Sequence, residues 1–215
     1  PNLGQCTTPT LTTATITILP NVSPNFALIP PLCSGSTAPI LATTSPNGIT
    51  GTWSPAIINN TIGGNYVFTP NPNQCASTQT LNVVITPKTI PDFATISPLC
   101  SGTVAPILAT TSPNGISGTW SPSVISNTAS GSYLFTPNAT ECATTQTLNV
   151  VVNPLITPDF ADALTLCSGT TAPILATTSP NGITGTWLPS TIDNTTSGTY
   201  VFTPNPTECA TTKTI

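Results

Sequence analysis

The segment APILATTSPNG stands at Ala38, Ala105 and Ala172, and both steps between copies equal 67 (105 − 38 and 172 − 105). Other landmarks keep that step: Cys33, Cys100 and Cys167; Trp53, Trp120 and Trp187; Tyr66, Tyr133 and Tyr200; Cys75, Cys142 and Cys209. A period of this length fits a small domain rather than a solenoid coil. The chain therefore reads as a tandem array, with repeats over 21–87, 88–154 and 155–215, the third truncated before its last strand is complete. PNLGQC at 1–6 matches PNPNQC at 70–75, so residues 1–20 read as the closing strand of a preceding repeat and the whole as a piece of something longer. No signal peptide is present, and no apolar run approaches the ~20 residues that span a bilayer.

The surface is almost without charge. Charged residues make up 4% of the chain, against about 25% in ordinary domains. Lys88 and Lys213 are its two cations, His is absent and the net charge is −4. Phosphate binding needs clustered Lys or Arg, so nucleic acid is not an expected partner, and no membrane insertion is expected of this segment. Thr, Ser, Asn, Pro and Gly take the place of charge, while 38% apolar residues supply a core that a disordered chain would lack.

Within each repeat the two cysteines keep one interval, 42 in sequence number (75 − 33, 142 − 100 and 209 − 167). Zinc sites need close ligand pairs and four donors, and a repeat offers two isolated cysteines and no His, so no metal is expected. One disulfide per repeat is the expected pairing, Cys33 with Cys75, Cys100 with Cys142 and Cys167 with Cys209, which leaves Cys6 unpaired in this window. Disulfides persist in oxidising compartments, which points to an extracellular, cell-surface or secreted location. Closing such a loop adds about 4 kcal/mol in the chain-entropy model.

The local pattern is all-β. In repeat 2, an apolar run at 106–111 leads into Ser112-Pro113-Asn114-Gly115, whose Pro and Asn-Gly predict a hairpin turn. The return strand 116–120 puts Ile116, Gly118 and Trp120 on one face and Ser117 and Thr119 on the other. A second strand is expected at 131–137, ended by proline, and a last one at 144–152 that alternates before becoming continuously apolar at 150–152. Short strands with regular turns argue for a small β-sandwich. The order Cys100, Trp120, Cys142, with the Trp near the middle, resembles the immunoglobulin arrangement, but Tyr133 precedes Cys142 by nine residues rather than two. The expected bond therefore ties two loops at one end of the sandwich rather than crossing its core.

PLCSG, then ATTSPNGITGTW, then GTYVFTPNPTECATT together resemble the Ig-like tandem repeats of large secreted cell-surface adhesins and filament proteins of Bacteroidetes, including flavobacterial gliding-motility adhesins. The resemblance covers the whole chain. It implies a tandem array of small Ig-like β-sandwich domains, export by type IX secretion, a cell-surface or filament location and many further repeats.

No catalytic residue and no cofactor is expected. Glu141 and Glu208 correspond to Gln74, Asp92 and Asp159 to Asn25, and Asp193 to Ser126 and Asn59, so no acid recurs in all three repeats. Lys88 corresponds to Leu155 in repeat 3, against an isopeptide-forming role. Trp53, Trp120, Trp187, Tyr66, Tyr133 and Tyr200 read as core side chains rather than a sugar-stacking platform, because each sits inside an apolar strand. The expected function is that of a structural stalk or filament segment of a secreted adhesin, not an enzyme, with neighbouring repeats of the same polypeptide or filament as partners. A glycan- or surface-binding module using loops such as 121–131 is one alternative. A pilus-like subunit that polymerises by strand donation, with 7–19 as the donor, is the other.

Overall fold

Residues 14–215 are described by a computed structural model, and every regular element among them is a β-strand. The chain divides into two compact units, one ending at Lys88 and one running from Thr89 to Ile215. The first holds repeat 1 and the second holds repeats 2 and 3.

In the first unit β1 (Leu32–Cys33), β2 (Gly51–Ser54), β3 (Gly64–Pro70), β4 (Gln79–Val83) and β5 (Ile85–Thr86) form two sheets. β2, β3 and β4 are antiparallel in that order, with Trp53 opposite Phe68 and Tyr66 opposite Leu81. β1 runs parallel to β5, and a parallel bridge joins Val22 to Ala76. The period-2 alternation sends Tyr66, Phe68, Leu81 and Val83 inward, where Phe26, Ile29, Leu32 and Leu41 from the incoming segment cover them.

The second unit repeats this plan. Repeat 2 has β6 (Leu99–Cys100), β7 (Gly118–Ser121), β8 (Gly131–Pro137), β9 (Gln146–Val150) and β10 (Val152–Asn153), and repeat 3 has β11 (Gly185–Leu188), β12 (Val201–Pro204) and β13 (Lys213–Thr214). Each repeat has its own core cluster, drawn from residues of that repeat alone.

The hairpin forms as the turn residues dictate. Gly115 donates its N–H to the Ser112 carbonyl at 2.8 Å and takes a φ of +86° that a side chain would resist. The buried Ser112 hydroxyl donates to Asn114 Oδ1 at 2.5 Å and accepts from the Ile116 N–H at 3.1 Å. The incoming arm departs from expectation. It is not a strand over 106–111 but a single bridge, Thr111 to Ser117, because Leu108 turns into the core while Ile107 faces solvent.

The last strand also departs from expectation. Residues 144–152 do not form one strand: β9 pairs antiparallel with β8, and after Val151 the chain continues as β10, parallel to β6. Val151 is 49% exposed, so the apolar run at 150–152 still alternates. The Leu99 N–H reaches the Val151 carbonyl at 2.9 Å and the Val152 N–H reaches Ser130 Oγ at 2.8 Å, which bends the strand from one sheet to the other.

Gly118 begins β7 and pairs with Pro137 at the end of β8. A Cβ there would stand 2.3 Å from the Thr136 carbonyl oxygen and 2.7 Å from Phe135 Cζ. Gly118→Ala is expected to cost repeat 2 about 1–3 kcal/mol through forced displacement of backbone. Amide exchange in β8 is the measurement, and unchanged protection there would show that the strands separate freely.

Candidate functional site at the repeat junction

The acids singled out by sequence each act as acceptors for nearby donors. Asp92 Oδ1 accepts the Asn114 N–H at 2.8 Å and Asp159 Oδ1 the Asn181 N–H at 2.8 Å, as Asn25 Oδ1 does for Asn47 at 2.9 Å. Glu141 accepts from the Ser117 N–H and Glu208 from the Thr184 hydroxyl, while Gln74 bonds Thr50. Asn59, Ser126 and Asp193 each accept the N–H groups two and three residues on. Hydrogen bonds from the Thr195 and then the Thr196 side chain hold the Asp193 carboxyl well below the usual carboxylate range. Amide, hydroxyl and carboxylate oxygens substitute for one another at these sites because all that is asked is an acceptor.

Lys213 replaces Gln79 and Gln146, whose amides bond both backbone groups of Phe26 and Phe93. It pairs instead with Asp162. Hydrogen bonding from Lys213, and then its charge, lowers the Asp162 pKa. Any stability from this pair is present above the unfolded-state pKa and lost as pH falls through the depressed folded one. Lys88 is exposed at the boundary between the two units.

The six aromatic residues expected in the core are buried there. Each Trp is 7% exposed, and the indole N–H donates to a backbone carbonyl: Trp53 to Ala42, Trp120 to Ala109 and Trp187 to Ala176, at 2.7–2.8 Å. The hydroxyls of Tyr66, Tyr133 and Tyr200 accept the N–H groups of Asn59, Ser126 and Asp193. With their faces covered, the indoles offer no platform for a sugar ring. The sequence reading did not single out the partners of the tryptophans, Phe26, Phe93 and Phe160 with Phe68, Phe135 and Phe202, which complete a triad of rings in every repeat at centroid distances of 4.7–5.2 Å. Phe135 stands two residues after Tyr133 on the same face, a signal already present in the alternation.

The cysteines overturn the expected pairing. Cys100 lies on β6 opposite Asn153, at the trailing end where the chain leaves repeat 2. Cys142 lies beyond β8, its carbonyl accepting the Thr89 N–H at 2.9 Å, at the leading end where the chain enters. The two cysteines of a repeat thus sit at opposite ends of it, and a bond between Cys100 and Cys142 is not formed. Cys100 is bonded instead to Cys209, 109 residues on, with the Cα atoms 5.1 Å apart. Cys209 belongs to the leading end of repeat 3, where its carbonyl accepts the Ile156 N–H at 2.8 Å.

The expected bonds of Cys167 with Cys209 and of Cys33 with Cys75 are likewise absent: Cys75 and Cys167 are free and exposed. Cys33 and Cys142 are disulfide-bonded. Cys6 lies outside the described residues.

The junction between repeats 2 and 3 therefore has two covalent tethers side by side. One is the chain itself, which passes from Asn153 through Pro154 and Leu155 to Ile156; the other is the Cys100–Cys209 bond. The bonded Cys100 is paired with Asn153 and the bonded Cys209 with Ile156, so the tethers start and finish on neighbouring residues. Disulfides of this kind fit an oxidising compartment. No helix among the described residues is long and apolar enough to cross a membrane. Comparison with protein-family models finds none that matches the chain, and comparison with curated proteins finds no match either.

Proposed function

We propose that the chain is a segment of an extracellular stalk or filament in which repeats 2 and 3 are stapled together, so that their junction resists both bending and extension. The observation that carries this reading is the Cys100–Cys209 bond lying beside the Pro154–Leu155 link. Domains joined by a single short link move relative to one another by default. Two tethers anchored on neighbouring residues remove the swivel that one link permits, and a serial rod is the structure that needs this. The closed loop also constrains the unfolded chain, worth about 5 kcal/mol for a loop of this length. A surface of Thr, Ser and Asn with little charge suits exposure outside a cell, and the resemblance to Bacteroidetes adhesin repeats points the same way.

The test is backbone ¹⁵N relaxation on the full chain. Oxidised, repeats 2 and 3 are expected to tumble with one correlation time. In the Cys100→Ser/Cys209→Ser variant each should show its own, shorter value. Identical relaxation in both proteins would remove the stapling bond from the explanation of stiffness.

A further inference from the structure

Each repeat carries an Asn-Gly pair at the tip of its hairpin: Asn47-Gly48, Asn114-Gly115 and Asn181-Gly182. This dipeptide is prone to spontaneous deamidation, because glycine has no side chain to hinder attack of its backbone nitrogen on the asparagine amide carbon, and its backbone turns freely. All three asparagines are exposed to water. Sequence and exposure alone would mark three reactive sites, yet the bonding around each opposes the reaction. Asn114 Nδ2 donates to the Ile90 carbonyl at 2.9 Å, Asn114 Oδ1 accepts the buried Ser112 hydroxyl at 2.5 Å, and the Asn114 N–H reaches Asp92 Oδ1 at 2.8 Å. The attacking atom is held too: the Gly115 N–H donates to the Ser112 carbonyl at 2.8 Å, with φ at +86°.

The same clamp recurs in the other repeats. Asn47 Nδ2 and Asn181 Nδ2 donate to the carbonyls of Ser23 and Thr157 at 2.9 Å, the Ser45 and Ser179 hydroxyls donate to the two Oδ1 atoms at 2.6 and 2.5 Å, and the N–H groups of Gly48 and Gly182 reach the Ser45 and Ser179 carbonyls at 2.8 Å. Two members of each clamp come from far back in the chain. Ile90 and Asp92 stand 24 and 22 residues before Asn114, on the incoming segment that leads to Phe93 at the edge of the core. Closing the succinimide ring requires the asparagine side chain to swing toward the glycine nitrogen, so the clamp persists only while the incoming segment stays docked on the hairpin.

We propose that Asn47, Asn114 and Asn181 are modification sites gated by the fold: docking of the incoming segment holds off their deamidation, and a repeat that opens is converted to a form that re-docks poorly. When the segment leaves, the Gly115 nitrogen gives up its proton and bonds to Asn114 Cγ, the Cγ–Nδ2 bond breaks, and the side-chain nitrogen departs as ammonia. Water then opens the ring on either side, leaving aspartate or isoaspartate; the net change is one water consumed and one ammonia released. The product no longer fits the clamp. A carboxylate has no N–H for the Ile90 carbonyl, and the new charge stands beside Asp92 in repeat 2 and Asp159 in repeat 3, where like charges repel. In repeat 1 the neighbour is the uncharged Asn25, so conversion there is the mildest of the three. The isoaspartate form also lengthens the backbone by one carbon inside a turn that the Gly115–Ser112 bond keeps tight.

The full chain is incubated at one pH and temperature, folded in buffer and unfolded in urea, and aspartate and isoaspartate at each site are counted by peptide mass spectrometry. Conversion in the folded chain should be slower by roughly a hundredfold, the effect of breaking three ordinary hydrogen bonds before the ring can close. Asp92→Ala removes one clamp partner and should raise conversion at Asn114 severalfold, with Asn47 and Asn181 of the same molecules as unchanged controls. The second half of the proposal has its own readout. Asn114→Asp should speed exchange of the Thr89 amide, which the docked segment bonds to the Cys142 carbonyl, at least tenfold, and Asp92→Asn/Asn114→Asp should restore part of that protection. Equal conversion in folded and unfolded chain, an Asp92→Ala variant in which Asn114 reacts no faster than Asn47 and Asn181, or Thr89 exchange indifferent to Asn114→Asp would each overturn the proposal.

Discussion

Pulled between Lys88 and Lys213, the oxidised chain is expected to yield little length, and after reduction it should yield about 360–390 Å more. The bond from Cys100 to Cys209 takes 109 residues out of the extensible path, and an extended residue spans ~3.3–3.6 Å. Only the stretches from Lys88 to Cys100 and from Cys209 to Lys213 lie outside the closed loop. Amine coupling suits the experiment, since these two residues are the chain's only lysines. Had the bonds joined Cys100 to Cys142 and Cys167 to Cys209, as the spacing within a repeat predicts, reduction would add ~280–300 Å, in two steps of ~140–150 Å each. The two pairings thus differ by about a quarter in total released contour and more than twofold in the length of a single step. The smaller increment would restore the one-disulfide-per-repeat arrangement, and no increment would place both bonds outside the force path. A junction closed by the Cys100–Cys209 bond would pass tension from repeat 2 to repeat 3 without unfolding either, as the proposed stalk requires.

Why the pairing could not be read from the sequence follows from the period itself. Cys142 follows Cys100 by 42 residues within one repeat, and its equivalent one period further on is Cys209. Spacing alone treats the two as equally regular partners. What separates them is which end of the repeat each cysteine occupies, and that depends on the parallel pairing of β6 with β10 and of Thr89 with Ala143. Neither leaves a local signal. By contrast the Ser-Pro-Asn-Gly turn, the inward set Ile116, Gly118 and Trp120, and the strand Gly131–Pro137 were legible, because turn chemistry and period-2 alternation act within a few residues. The shift of the last strand from one sheet to the other was not legible, because Val150, Val151 and Val152 look alike in composition and differ only in which neighbour each faces. The acids were legible in kind: that Asn, Ser and Asp exchange across repeats at 59, 126 and 193 marks an acceptor for nearby N–H groups rather than a charge.

Truncation of Trp120 to Ala should destabilise repeat 2 by about 3–5 kcal/mol, the range for a large aromatic removed from a core. Trp120 lies opposite Phe135 across β7 and β8 and meets the rings of Phe93 and Phe135 at 4.9 and 5.2 Å. Phe135 is 0% exposed and has no room to swing into the space, and the Ala109 carbonyl loses the donor that fixes the hairpin's incoming arm. A tandem array does not unfold in one step, so the measurement should be local. Amide exchange in β8 should quicken by roughly 10²–10⁴-fold, since ~1.4 kcal/mol is a factor of ten, while β3 in the first unit serves as the control. Trp120→Phe keeps most of the ring and loses only the indole N–H, and its cost should fall to about 1 kcal/mol. If both substitutions left exchange in β8 within threefold of the parent, the ring triad would not be what closes the repeat. If Trp120→Ala instead abolished attachment to a glycan surface with unchanged exchange, the indole would belong to a binding face and the stalk reading would give way to the binding module.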